Sequence, residues 1–352
     1  MIFFRERELS YYSGAKCEYE DRKMSGMRKQ ARRSGERMLR GVRICPRLCR
    51  SVRRQEEPCD YRVRLAAARE TYLTGDGFFG RFAISADAVG VVGKSGRLLF
   101  WDSVCGFNET DGISGISIGG EHILVLGADG RVMAFGRGVY GQYRTSKLPS
   151  MRYAAAGDRC SVFIDKKGKP RVTGLTFPGL KTDRSDVRKA APGDGFILML
   201  YGDGTAETLT STDCRAVFGK RRLDGIVDIA AGDCAVFLDR NGKVIIDGVR
   251  DGDTRLKSRE WNGIRSIAAD SGFVYGVDGQ GRMYGAGKCP SGFDRGRSDV
   301  SEWTGVEAIT CGRSCVAALT KDGGVRYAGI FSPHFAEALP EFSERLRRIM
   351  GK

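Results

Sequence analysis

Short alternating runs of apolar residues, each closed by a glycine turn, organise most of this chain. In the stretch GGEHILVLGADGRVMAFGRGVYGQY (residues 119–143), an aliphatic run at 123–126 precedes the Asp129-Gly130 turn, and a second apolar run ends at Gly136. Two short strands joined by an Asp-Gly turn predict a β-hairpin. A two-stranded hairpin is marginally stable by itself in water, so we expect this one to pack against further strands.

The same pattern returns along the chain at intervals of 34 to 42 residues, about 38 on average. An aliphatic residue lies four positions before each turn glycine. In five of the seven copies another glycine lies six positions after the turn glycine. A short strand that ends in glycine and an acid, as at Gly120-Glu121, precedes most copies. The seven turn glycines are Gly96, Gly130, Gly168, Gly204, Gly242, Gly281 and Gly323.

Seven copies of three short strands, with no helical stretch between them, predict an all-β fold, a seven-bladed β-propeller. Each small twisted sheet would bury its faces against its neighbours, and closing the ring would remove the two exposed ends. We place the propeller at residues 81–330, between an N-terminal extension (1–80) and a C-terminal segment (331–352).

Both flanking segments carry amphipathic patterns. Apolar residues at 24, 27, 31, 38 and 42 fall near one face at helical spacing, which predicts a partly helical, basic N-terminal extension. At the other end, Phe342, Leu346 and Ile349 form a stripe after Pro340, which predicts a short C-terminal helix within residues 331–352. After Pro58 a further apolar stripe, at residues 61, 65, 68 and 72, predicts a helix, and we expect this helix and the C-terminal one to cover the junction where the ring closes.

The second copy resembles a known repeat. Gly120-Glu121-His122, the Asp-Gly turn, Gly136 and Tyr140-Gly141-Gln142 are similar to the G-x-x-H…DG…WG…GQLG pattern of the regulator of chromosome condensation repeat family. The resemblance implies a seven-bladed propeller over about residues 82–329. It also implies several family activities, among them nucleotide exchange on a nuclear small GTPase, ultraviolet photoreception and inhibition of β-lactamases, and fold does not choose among these. Photoreception is disfavoured because this chain has only three tryptophans, in different copies.

Charge adds an alternative function. The chain has a formal net charge of +15, and residues 22–54 hold thirteen Lys or Arg against one acid, Glu36. Such a segment is typical of nucleic-acid binding, in which each phosphate contact releases a counterion, although a membrane-surface helix and a solvated helix are open alternatives. The candidate anion-binding residues are Arg28, Lys29, Arg32, Arg33, Arg37, Arg40, Arg43, Arg47, Arg50, Arg53 and Arg54.

Candidate chemistry is otherwise sparse. The acids of the glycine-acid turns are expected to accept hydrogen bonds from backbone N–H groups at their own turns. The cysteines that recur at one repeat position, at 160, 234 and 315, are expected to be apolar filler. Four N-terminal cysteines would be enough to bind zinc, but they lack the short paired spacing of zinc sites. They are Cys17, Cys45, Cys49 and Cys59. We therefore expect no enzyme activity, no metal and no cofactor.

These observations favour a non-enzymatic scaffold that binds an unidentified protein partner through loops at one rim of the propeller. Aromatic residues between copies are the candidate partner-binding residues, and packing of the Trp and Phe side chains between blades is the open alternative. The candidates are Tyr140, Tyr143, Phe177, Trp261, Phe293 and Trp303. The alternatives are nucleic-acid or chromatin association through residues 22–54, and regulation of a small GTPase, which the resemblance alone implies. We expect a monomer. We also expect no transmembrane segment, because no run approaches the roughly 18 apolar residues of a membrane span. A cytoplasmic location is expected, or a nuclear one in a eukaryote.

Overall fold

The computed structural model describes residues 80–136, 138–175, 184–211, 214–219, 222–288 and 294–351. Within them the chain forms seven antiparallel sheets, a 3-10 helix at Thr254–Glu260 and an α-helix, α1, at Pro333–Met350. None of the helices among these residues is both long enough and apolar enough to span a bilayer.

The strands follow the chain as β1 (Phe82–Ile84), β2 (Ala88–Val92), β3 (Leu98–Asp102), β4 (Gly106–Thr110), β5 (Ile113–Ile118), β6 (His122–Gly127), β7 (Val132–Gly136), β8 (Met151–Ala156), β9 (Cys160–Asp165), β10 (Pro170–Gly174), β11 (Val187–Pro192), β12 (Phe196–Tyr201), β13 (Ala206–Thr210), β14 (Arg222–Leu223), β15 (Ile226–Ala231), β16 (Ala235–Asp239), β17 (Val244–Asp247), β18 (Ile264–Ala269), β19 (Phe273–Asp278), β20 (Met283–Gly287), β21 (Val306–Gly312), β22 (Cys315–Thr320) and β23 (Val325–Gly329).

Each sequence repeat forms one sheet. The first and fourth sheets (β1–β4 and β11–β14) have four strands, the other five have three, and within every sheet the strands pair in chain order. The middle strands are buried along most or all of their length, because both faces of each sheet are covered. The prediction of an all-β chain built from seven repeats is confirmed.

The sheets pack face to face in chain order, and the seventh sheet packs in turn on the first. The first strand of each sheet lies against the first strand of the next, so the first strands are the innermost ones. One apolar cluster combines Val89 and Leu99 of the first sheet with Ala317 and Leu319 of the seventh. This arrangement is that of a β-propeller.

The turn glycines, which mark the repeat in the sequence, also join neighbouring sheets. All seven have positive φ angles, between +73° and +86°, a region that suits glycine. Six of them accept a hydrogen bond, 2.7 to 3.2 Å long, on their carbonyl oxygen from the N–H of the residue that begins the next sheet. The six donors are Ile113, Met151, Val187, Ile226, Ile264 and Val306. The repeated glycine therefore fixes the turn and the next sheet together.

The C-terminal helix covers the junction of the first and seventh sheets. The stripe of Phe342, Leu346 and Ile349 is buried in the cluster that these two sheets share, as expected. The helix predicted within residues 331–352 is α1, which begins at Pro333, so Pro340, where the stripe begins, lies inside it. Pro340 is exposed, so the backbone carbonyl that loses its hydrogen bond there lies on the solvent side of the helix.

Candidate protein-binding face

Strand direction divides the propeller into two faces. The first-turn face carries the turns between first and second strands, at residues 85–87, 119–121, 157–159, 193–195, 232–234, 270–272 and 313–314. The hairpin face carries the turn glycines. Because antiparallel strands reverse direction at each turn, the third strand of each sheet ends at the first-turn face. Segments that follow third strands therefore begin on that face.

Exposed apolar side chains are unevenly divided between the two faces. Among the described residues, seven large hydrophobic side chains are exposed. Val227 lies in β15, whereas the other six lie in the turn between β3 and β4 or in segments that follow third strands and so begin on the first-turn face. These six are Val104, Val139, Tyr140, Tyr143, Val217 and Ile330. Clustered exposed apolar residues mark interaction surfaces more often than scattered ones do.

Three of these side chains come from one short segment, residues 138–145, which we name the tyrosine loop. Val139 is 80%, Tyr140 51% and Tyr143 37% exposed, while Gln142 between them is 1% exposed. The backbone N–H of Tyr140 donates to Oε1 of Gln142 at 3.0 Å. Two hydroxyl groups of the third sheet, on Ser161 and Thr173, each donate to the Gln142 carbonyl oxygen at 2.8 Å. A buried, hydrogen-bonded glutamine thus holds a loop that exposes three apolar side chains.

His122 extends this anchor into the second sheet. Its Nε2 lies 2.7 Å from Oγ of Ser161, whose hydroxyl proton is already donated to Gln142. Nε2 must therefore donate, and Nδ1 is the unprotonated nitrogen. Nδ1 is buried without a hydrogen-bond partner, so a proton there would lack an acceptor. Burial lowers the pKa of His122 to about 4.

His122 should make stability depend on pH. The pKa of His122 is lower in the folded chain than in the unfolded chain. The contribution of the neutral His122 to the free energy of unfolding is therefore complete above about pH 6.5 and is lost as the pH falls towards 4. We expect the free energy of unfolding to fall by up to about 3 kcal/mol over that range. Urea denaturation at several pH values measures this loss.

His122→Gln should remove this component of the pH dependence. His334→Gln is the matched control, since His334 is the second of the two histidines in the chain and its side chain is 69% exposed. Equal slopes in the two variants would contradict the role of His122.

The predicted partner-binding aromatic residues occupy different environments. Tyr140 and Tyr143 are exposed, as expected of interface residues. Trp261 is half-buried and packs on Tyr284, with 5.7 Å between the ring centroids. Trp303 follows the alternative of packing between blades: it is buried in the core of the sixth and seventh sheets, because the segment before β21 folds back onto them. Phe177 and Phe293 lie outside the described residues.

The acids of the glycine-acid turns also differ from one another. Asp270 accepts a hydrogen bond from the N–H of Phe273 at its own turn, as predicted. Asp270 is also paired with Arg297 at 3.0 Å, and both side chains are buried. Asp194 is paired with Arg159 at 3.1 Å, and Asp233 with Arg255. Sequence spacing gave no signal for these arginines, because each lies 22 to 35 residues from its acid along the chain.

The recurrent cysteines are apolar filler, as predicted. Cys160, Cys234 and Cys315 are buried in three separate apolar clusters. Burial raises the pKa of each thiol to about 12, so the thiols stay protonated at neutral pH. No group of three or more potential metal ligands occurs among the described residues. The N-terminal cysteines and the arginines of residues 22–54 lie outside those residues.

Residues 113–142 match the sequence model of the regulator of chromosome condensation (RCC1) repeat. This segment is therefore similar to an RCC1 repeat. The match runs from the start of β5 to Gln142 and includes His122, so the buried anchor of the tyrosine loop belongs to the repeat. The resemblance seen in the sequence is confirmed for this repeat.

Solved structures are similar to the chain in fold. The CRINKLY WD40 ectodomain of the Arabidopsis thaliana receptor kinase ACR4 is 12% identical, with 72% of this chain and 95% of that chain covered and a TM-score of 0.54. The ectodomain of the Physcomitrella patens receptor kinase CR4 is 15% identical, with 71% of this chain and 73% of that chain covered and a TM-score of 0.53. At such identities the similarity shows the fold alone. No curated protein matches the chain in sequence.

Proposed function

We propose that this protein is a non-enzymatic scaffold that binds a protein partner on its first-turn face. The observation that carries the proposal is the segregation of exposed apolar side chains to that face, three of them on the tyrosine loop. Interface anchors are enriched in tyrosine, and they are effective when their surroundings are rigid before binding. The buried Gln142 supplies such rigidity, since its carbonyl and side chain are both hydrogen-bonded.

Replacing the loop side chains tests this function. The double variant Tyr140→Ser/Tyr143→Ser should lower the yield of captured partner at least about tenfold, because two apolar anchors are removed. The measurement is affinity capture by the full chain from lysate of the native host, with nuclease present and the bound proteins quantified by mass spectrometry.

Val227→Ser is the matched control, because Val227 is exposed but lies in β15 rather than on the first-turn face. It should leave capture unchanged. A partner lost equally from both variants, or from neither, would contradict binding on the tyrosine loop.

The charge of residues 22–54 favours nucleic-acid binding as a second function. A complex driven by phosphate contacts should lose affinity steeply as salt rises, whereas an apolar contact should not. Measuring the affinity of the full chain for a DNA duplex at several salt concentrations tests this alternative. Nucleotide exchange on a small GTPase stays a prediction of the family resemblance.

A further inference from the structure

The first-turn face is asymmetric in charge. In the fourth, fifth and sixth sheets an arginine pairs with the first-turn acid, as described above, and the seventh sheet has Arg313 near that position. In the first three sheets the corresponding acids are exposed, and none forms an ion pair with another described residue; they are Asp87, Glu121 and Asp158. A feature that the fold requires should recur in every repeat. First-turn acids without an ion-pair partner among the described residues occur only in these three consecutive sheets, so the fold itself does not require them.

The same sector holds four of the six exposed apolar side chains of the face. Val104 follows β3 of the first sheet, and the tyrosine loop follows β7 of the second. The backbone of Glu121 lies beside the start of this loop: a Cβ atom on Gly136, where β7 ends, would lie 2.4 Å from the Glu121 carbonyl oxygen. The Asp158 carboxylate lies over the neighbouring turn, since a Cβ on Gly120 would be 2.5 Å from its Oδ1.

Radial position separates the two kinds of side chain. The acids lie at turns of the innermost strands, and the apolar side chains lie further out, beyond third strands. A bound segment would therefore meet carboxylates on its inner side and apolar groups on its outer side. Arg144, the exposed cation of the tyrosine loop, lies against Gly141 of the same loop.

We propose that the partner inserts a basic segment with apolar side chains into this sector, which we name the acidic sector. Lysine or arginine side chains of the partner face Asp87, Glu121 and Asp158, and apolar side chains pack on Val104 and the tyrosine loop. The inference rests on the proposed function and adds the chemistry of the partner. Complementary charge of this kind selects partners and speeds their association.

Two synthetic 16-residue peptides provide the probe, one of alternating lysine and leucine and one with glutamate in place of each lysine. Binding of each labelled peptide to the full chain is measured by fluorescence anisotropy at physiological ionic strength, so that distant charges are screened. The chain carries a net charge of +15, so long-range electrostatics oppose the lysine peptide, and its binding would report a local surface.

Charge reversal in the acidic sector gives the test. Glu121→Lys/Asp158→Lys should weaken binding of the lysine peptide at least about tenfold, and the neutral variant Glu121→Gln/Asp158→Asn should have a smaller effect in the same direction. Asp299→Lys/Glu302→Lys is the matched control, because both residues are exposed and precede β21 in the seventh sheet. It makes the same change in net charge and should alter binding less than about threefold.

Two results would overturn the inference: no measurable binding of the lysine peptide, or equal losses in the sector and control variants. Neither of them contradicts the proposed function, which depends on partner capture by the tyrosine variants. If the tyrosine variants capture the partner normally while the sector variants lose the lysine peptide, docking on the tyrosine loop is contradicted and the preference of the acidic sector for basic segments is supported.

Discussion

Replacing Arg297 by methionine is expected to lower the free energy of unfolding by about 3 to 5 kcal/mol, because the buried Asp270 carboxyl group loses its charged partner and must either stay ionised without compensation or take up a proton. The side chains of Arg297 and Asp270 are 5% and 0% exposed, and their charged atoms are 3.0 Å apart. The guanidinium also lies 4.4 Å from the centre of the Phe273 ring. Urea denaturation of the variant and the wild type at pH 7 measures the loss.

The loss should also depend on pH. Burial raises the pKa of Asp270 to about 7 even with Arg297 present. A folded-state pKa above the unfolded value means that stability falls as pH rises between those two values. Without Arg297 the carboxyl group should have a still higher pKa in the folded chain, so the destabilisation should be larger at pH 8 than at pH 5.

Arg159→Met is the matched control, because it breaks an arginine pair with the first-turn acid Asp194 whose side chains are 37% and 59% exposed. Exposed pairs contribute about 0 to 1 kcal/mol, so this variant should remain close to the wild type. Similar losses in Arg297→Met and Arg159→Met would show that burial does not determine the effect.

Gly168→Ala should destabilise the chain by about 4 kcal/mol through strain and overlap together. Gly168 has a φ of +82°, and a Cβ atom there would lie 2.1 Å from the carbonyl oxygen of Ser185, in the segment that leads into the fourth sheet. That oxygen belongs to the backbone, so the overlap can be relieved only by a shift of the backbone at the junction of the third and fourth sheets. The hydrogen bond from the Val187 N–H to the Gly168 carbonyl, 3.2 Å long, would be strained with it.

Gly263→Ala separates the two contributions. Gly263 has a φ of +64°, and a Cβ atom there would have no neighbour within 4 Å. Alanine at this position should therefore cost only the left-handed backbone strain, about 1 to 2 kcal/mol. Chemical denaturation of both variants gives the difference, and equal costs would show that the sheet junction at Gly168 adjusts without resistance.

The candidate site was only partly predictable from sequence. The repeat motif drew attention to His122, Tyr140 and Gln142, but not to the hydrogen bonds that join His122 to Gln142 through Ser161, which lies 39 residues from the histidine along the chain. Aromatic residues between copies were candidates for the interface. Composition could not separate Tyr140, which is exposed, from Trp303, which is buried.

The sequence by itself determined the repeat and its local geometry. Alternating apolar residues and glycines with positive φ act within a few residues of one another, so the seven sheets and their turns follow from local patterns. The tertiary structure alone decided which acids are neutralised and which aromatic side chains are exposed. Both depend on how a segment of one repeat packs on the next sheet, and side chains 22 to 39 residues apart meet only when those sheets come together.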